Sequence, residues 1–127
     1  MIERRFDLED RLIDFAIKIS EIADLLPNSS LGTTIKGQII RSGTSPALNY
    51  GEAQSAESTK DFVHKLKIIL KELRETYVCL KIIIRKPLLT PVSKLETIMQ
   101  ENNELISIFV KSIKTAISNE KRNADKN

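Results

Sequence analysis

A single histidine, His64, follows Asp61 by one helical turn, and a single cysteine, Cys79, lies further along the same stretch. An imidazole and a carboxylate at that spacing could share a metal ion or a proton. Di-metal carboxylate bundles, however, need two Glu-x-x-His motifs and further carboxylates, and the chain has one Asp-x-x-His. Ser–His–Asp catalysis would also have to draw on His64, whose neighbours are mostly lysines. The simpler reading of His64 is a solvated helix residue. Cys79 sits among apolar residues and reads as a small core side chain. One thiol can form neither an internal disulfide nor a cysteine-based metal site. No glycine-rich phosphate loop follows a strand, because no strand pattern is present. These residues predict no metal, no cofactor and no enzymatic activity.

The bases are more informative. From Ser58 to Lys86 there are eight of them (Lys60, Lys65, Lys67, Lys71, Arg74, Lys81, Arg85, Lys86) against three acids, Asp61, Glu72 and Glu75. From Asp7 to Leu26 the balance reverses, with six acids (Asp7, Glu9, Asp10, Asp14, Glu21, Asp24) against Arg11 and Lys18. Lys60, His64, Lys67, Lys71, Arg74, Lys81 and Arg85 recur in steps of three and four, or seven across Val78. In a helix they share one face, a strip about 35–40 Å long at the helical rise. Phosphates could lie along it, since such contacts depend on charge and not on base identity. The alternative is a solvated face, partly neutralised by the acidic first segment. Aromatic residues make up 5% of the chain, and none falls within the strip. Backbone and shape recognition of structured RNA therefore fits better than stacking on single-stranded bases. A protein-interaction scaffold using the same basic face, without nucleic acid, is the second reading.

Four amphipathic segments must position these groups. Asp7 is a suitable N-cap for the first, in which Leu8, Leu12, Phe15, Ala16, Ile19, Ala23 and Leu26 mark one face. Pro27 and Asn28 end it. The second runs over 30–54, with Leu31, Ile35, Ile39, Gly43, Pro46, Tyr50 and Ala53 as its apolar stripe. It holds all four glycines, each costing roughly 1 kcal/mol against Ala, so packing and not propensity must hold it. Pro46 should kink it, and on periodicity alone Arg41–Pro46 could be a loop. The third, 58–86, opens with the Ser58/Asp61 capping pattern; Phe62, Leu66, Ile69, Leu70, Leu73, Tyr77, Leu80 and Ile84 line its inner side. The fourth, 91–119, places Thr90 as N-cap and Pro91 at the first helical position. Its core stripe is Leu95, Ile98, Met99, Leu105, Phe109, Ile113 and Ala116. A polar, frayed tail is expected over 119–127. The predicted fold is an all-α antiparallel up-down four-helix bundle.

At 127 residues, with 41% hydrophobic and 29% charged, the chain suits a single globular domain with its own core. No apolar leader stretch opens it, and Ile82-Ile83-Ile84 is far too short to span a membrane. A cytoplasmic protein without membrane association is expected. The apolar width is excessive for a lone bundle. Ile82 and Ile83 point in different directions, and Ile106, Val110 and Ile117 form a second stripe on the fourth helix. Burial of these side chains in a homo-oligomer is expected.

Several short patterns together resemble a known family. They are Gln38-x-x-Arg41, Ser45-Pro46-x-x-Asn49-Tyr50-Gly51-Glu52-Ala53, Ser58-x-x-Asp61-Phe62-x-x-Lys65-Leu66 and Lys71-Glu72-Leu73-x-Glu75-Thr76. They resemble the four-helix-bundle family of 23S rRNA intervening-sequence proteins, and accessory proteins of diversity-generating retroelements look like relatives. The resemblance runs from about Phe6 to Ser118, with the Asn-x-x-Glu stretch most specific. It departs at Tyr50-Gly51, where the family has an aliphatic residue and Ala. It implies a homopentameric barrel of four-helix protomers, RNA association, and helix through Arg41–Pro46. It carries no catalytic residues. It suggests a structural role for Arg41, Asn49 and Glu52; with Ser45, these are expected to form one hydrogen-bonded polar cluster against a neighbouring helix.

Overall fold

The computed structural model of the protein describes residues 7–126. Four α-helices follow one another: α1 (Leu8–Asp24), α2 (Ser30–Gln54), α3 (Thr59–Arg85) and α4 (Glu96–Lys126), with a 3₁₀ turn, Val92–Leu95, before the last. Each helix packs on the next, and α1 returns to α4, while α1 and α3 stay apart across the diagonal. The short connections force antiparallel neighbours. The fold is the all-α four-helix bundle expected from the hydrophobic spacing.

Local chemistry starts three of the helices. The Asp7 carboxylate accepts from the Asp10 N–H at 3.2 Å, the Ser29 hydroxyl from Gly32 at 3.0 Å, and the Ser58 hydroxyl from Asp61 at 3.1 Å. Each side chain satisfies a donor that the first helical turn leaves open. α2 is continuous helix through Arg41–Pro46, so the loop alternative is excluded. Around Pro46 polar side chains serve the helix's own carbonyls. Thr44 Oγ1 donates to the Ile40 carbonyl at 2.7 Å, and Asn49 Nδ2 donates to the Ser45 carbonyl at 3.0 Å.

The start and end of α4 differ from expectation. Pro91 takes extended backbone, Thr90–Pro91 is cis, and the α-helix proper begins at Glu96. The intervening 3₁₀ turn lets Leu95 reach the core, where it is fully buried. At the other end the helix runs past 119 to Lys126. Residues 119–125 are exposed and contain no glycine or proline to stop it.

The core combines Leu12, Phe15 and Ile19 of α1, Ile35 and Ile39 of α2, Leu66, Ile69, Leu73, Leu80 and Ile83 of α3, and Leu105 and Phe109 of α4. On α3 the buried residues Leu66, Ile69, Leu73, Thr76, Leu80 and Ile83 step by three and four in strict alternation, with Glu72 and Cys79 buried beside them. That is a heptad seam, the pattern of helices wrapped gently around one another. Leu95 of the 3₁₀ turn and Ile98, Asn102, Leu105 and Phe109 of α4 repeat it. In each seam a polar residue, Thr76 or Asn102, holds one inner position. This corrects the expected inner line of α3. Phe62, Leu70 and Ile84 are half-buried at the edge of the core, Tyr77 is half-buried outside it, and Thr76 and Ile83 take the inner places assigned to Tyr77 and Ile84. Ile83 is therefore core, not a surface available to a second copy.

Candidate nucleic-acid interface

The heptad seam dictates where the bases of α3 go. With Leu66, Leu73 and Leu80 at its first position, Lys60, Lys67, Arg74 and Lys81 fall at the second, and His64, Lys71, Val78 and Arg85 at the sixth. Both positions point away from the core in a bundle. All but Lys81 are exposed; Lys81 is half-buried, with its ammonium 5.0 Å from the centre of the Tyr77 ring. Because the seam itself follows a seven-residue repeat, the strip stays on one side for the whole helix instead of drifting round it.

Three bases outside the strip are held by carboxylates. Arg11 grips Glu101 with two hydrogen bonds, Nη2 to Oε1 at 2.6 Å and Nε to Oε2 at 2.9 Å, and reaches Glu104 at 3.1 Å. Arg41 pairs with Glu72 at 3.2 Å and Glu75 at 3.0 Å, and Lys65 pairs with Glu52 at 3.2 Å. Among the described residues, Lys60, Lys67, Lys71, Arg74, Lys81 and Arg85 form no ion pair. The acids of α1 do not neutralise them. α1 and α3 are diagonal, so their outer faces lie about 20 Å apart at ordinary helix spacing, well beyond the screening length at physiological salt.

Arg41, Ser45, Asn49 and Glu52 do not form one cluster. Arg41 and Glu52 each cross to α3, whereas Asn49 Nδ2 donates within α2 to the Ser45 hydroxyl at 2.8 Å. Beside the Arg41 crossing, Thr76 Oγ1 donates to Ser42 Oγ at 2.8 Å, with both residues fully buried. The result is a polar seam between α2 and α3, in separate links. Ser42, Glu72, Glu75 and Thr76 are its unforeseen members. Arg41 belongs to one of the family-like patterns and Glu72, Glu75 and Thr76 to another, so the signal was present without the knowledge that the two patterns meet.

The seam shifts the protonation of its members. Burial pushes the Glu72 carboxyl up, and the neighbouring Glu75 adds to this, while Arg41 acts in the opposite direction. Glu75, the closer charged partner, raises the Arg41 guanidinium. Across the bundle, the hydrogen bonds from Arg11 hold Glu101 below the usual carboxylate range. Burial raises the Cys79 thiol, which keeps it neutral and unreactive at physiological pH. Asn102 donates from Nδ2 to the Leu73 carbonyl at 3.1 Å, and its buried Oδ1 has no partner among the described residues.

Of the apolar side chains expected at subunit contacts, Ile82, Ile106 and Val110 are half-buried and Ile117 is 47% exposed. Ile13 and Ile17 on α1 and Leu48 on α2, which the apolar stripes did not single out, are also exposed. No helix among the described residues is long and apolar enough to cross a membrane.

The fold and surface define a class: a four-helix bundle with a cross-linked polar seam on one flank and an unpaired basic ridge on another. The chain belongs to the 23S rRNA-intervening sequence protein family, whose sequence model matches residues 5–111. It is similar to a crystal structure from Bacteroides thetaiotaomicron, described as a protein of unknown function from the S23 ribosomal protein family. Sequence identity is 34%, the match covers 85% of this chain and 99% of the other, and the TM-score is 0.78. No curated protein matches the chain significantly.

Proposed function

We propose that the protein is a non-catalytic, cytoplasmic RNA-binding oligomer that holds structured RNA along the outer face of α3. One observation carries this reading: the six cations Lys60, Lys67, Lys71, Arg74, Lys81 and Arg85 share one face of a single helix, and among the described residues none of them has a carboxylate partner. A row of unpaired cations repels itself in the free protein, and a polyanion relieves that repulsion while releasing its own counterions. Family membership and the resemblance to retroelement accessory proteins favour RNA as the polyanion. The half-buried Ile82, Ile106 and Val110 would be covered by sister copies, five in the assembly the resemblance implies.

The test is charge reversal. Lys67→Glu, Lys71→Glu and Arg74→Glu together are expected to abolish binding to a structured RNA at low salt and to leave helicity and melting unchanged, because none of the three is buried or bonded. Wild-type binding should weaken by roughly 10²-fold or more between 50 and 200 mM salt, the dependence that follows when several phosphates are neutralised. Salt-insensitive binding, or none, defeats the proposal. Val78, an exposed apolar residue in the middle of the strip, favours the second reading of a protein partner. A defined protein retained by the purified chain after nuclease treatment would support that reading instead.

A further inference from the structure

At its N-terminal end the basic strip borders a groove of about 510 Å³ between the start of α3 and the last turns of α4. Val63, Ile117 and Ala124 supply apolar lining, and Lys60 and Lys67 of α3 and Lys121 of α4 supply charge. One carboxylate, Glu120, also lines it, and His64 lies beside it on α3. The volume is in the range of small-ligand sites. Its stretch along α3, from Thr59 to Lys67, is about 12 Å long.

Three features together select an occupant. The lysines outnumber the carboxylate, so the ligand is anionic. The lining is partly apolar, so a bare inorganic ion would leave half the groove unused. Lys60 and Lys67 belong to both the strip and the groove, so whatever lies on one can continue into the other. A nucleotide joins a phosphate to a flat base whose faces shed water readily. A base inside a duplex cannot reach the groove, but an unpaired one beside the duplex can. We propose that the groove takes an unpaired nucleotide next to the RNA helix held on α3, its base against Val63 and Ile117 and its phosphates on Lys60, Lys67 and Lys121. This rests on the RNA-binding reading of α3 and adds a preference to it: duplex with a single-stranded extension over blunt duplex.

The experiment measures binding of the full chain to two RNA hairpins that differ only in a short single-stranded 3′ tail. The tailed hairpin is expected to bind about tenfold tighter, the scale set by withdrawing a small apolar surface from water. Val63→Ser with Ile117→Ser should bring it to the blunt value without changing blunt binding. Ile117→Glu, at an exposed position that folding does not depend on, should do the same by placing a carboxylate among the lysines. Equal wild-type affinity for the two hairpins overturns the groove proposal and leaves the RNA reading of α3 standing. Binding of neither hairpin overturns both. The acidic α1 of a second copy, with exposed Ile13 and Ile17, is the competing occupant. If Ile117→Glu reduces the assembly mass in light scattering, the groove is a contact between copies and the nucleotide proposal is wrong.

Discussion

Thr76 and Ser42 illustrate how a single buried hydroxyl can outrank a larger apolar neighbour. Thr76 Oγ1 donates to Ser42 and also lies 2.9 Å from the Glu72 carbonyl of its own helix. Thr76→Val keeps the shape and strands the Ser42 hydroxyl, and it should lower stability by about 1–2 kcal/mol. Ser42→Ala combined with Thr76→Val should restore part of that loss, because no orphaned group remains; chemical denaturation of the single and double variants measures the coupling. The two buried-flank carboxylates should behave oppositely. Glu101 is held low by Arg11, so its contribution is present above the ordinary carboxylate range and disappears as pH falls through the lowered value. Glu101→Gln should cost about 1 kcal/mol at neutral pH, a few degrees in Tm, and nothing in strong acid. Glu72 is raised, with burial as the main cause. Its contribution is complete when it is protonated and declines as pH rises through the raised value. At neutral pH Glu72→Gln should melt at or above the wild-type temperature, with Arg41 still paired to Glu75. A lower Tm for Glu72→Gln than for Glu101→Gln would contradict this account.

At the level of helices, α2 decides how closely the bundle packs. A Cβ built on Gly43 would lie 2.5 Å from Ile19 Cγ2, so α1 and α2 approach each other through that residue. Gly43→Ala should push the helices apart and destabilise by about 1–3 kcal/mol. Gly37 and Gly51 face open space. Ala at either should stabilise by about 0.5–1 kcal/mol through helix propensity. Thermal melts of the three single variants check the contrast, and a common sign for all three would refute it. α3 is shaped differently. Its heptad seam faces inward and its basic row outward, so one seven-residue repeat sets both the packing and the charge geometry.

For the molecule as a whole, the diagonal placement of α1 and α3 separates acid from base and gives the bundle two oppositely charged sides. Such a charge distribution steers polyanions to one side and away from the other. The half-buried apolar residues of α3 and α4 supply the remaining unsatisfied surface. Light scattering of nuclease-treated protein should report a mass of about five protomers, as the family resemblance implies. A monomer at micromolar concentration would mean that these residues are simply the wide flanks of a self-contained bundle. In that case the basic strip would have to bind RNA without the multivalency of an assembly.

The number of helices, two of their capping residues and the direction of the basic strip were legible in the linear chain, whereas Ser29 as a cap and the late start of α4 were not. Each depends on spacing within one helix, and spacing at three and four residues is a local property. Asp7 and Ser58 were readable as caps for the same reason, since a cap acts on its own first turn. The inner line of α3 was misread at Tyr77 and Ile84, because hydrophobicity favours them over Thr76, whose buried hydroxyl is satisfied by the Glu72 carbonyl of its own helix and by Ser42 on another. Asn102 was hidden in the same way. Arg41 and Glu52 were recognised as structural, yet their partners Glu72, Glu75 and Lys65 lie on the next helix, at a register set only when α2 and α3 pack. The lysine groove between α3 and α4 likewise joins residues more than fifty positions apart in the chain. Local periodicity thus determined the elements and the face each one shows to solvent. Which polar groups meet inside, and which cations remain unpaired outside, was decided by helix packing, because those pairings depend on distances between helices.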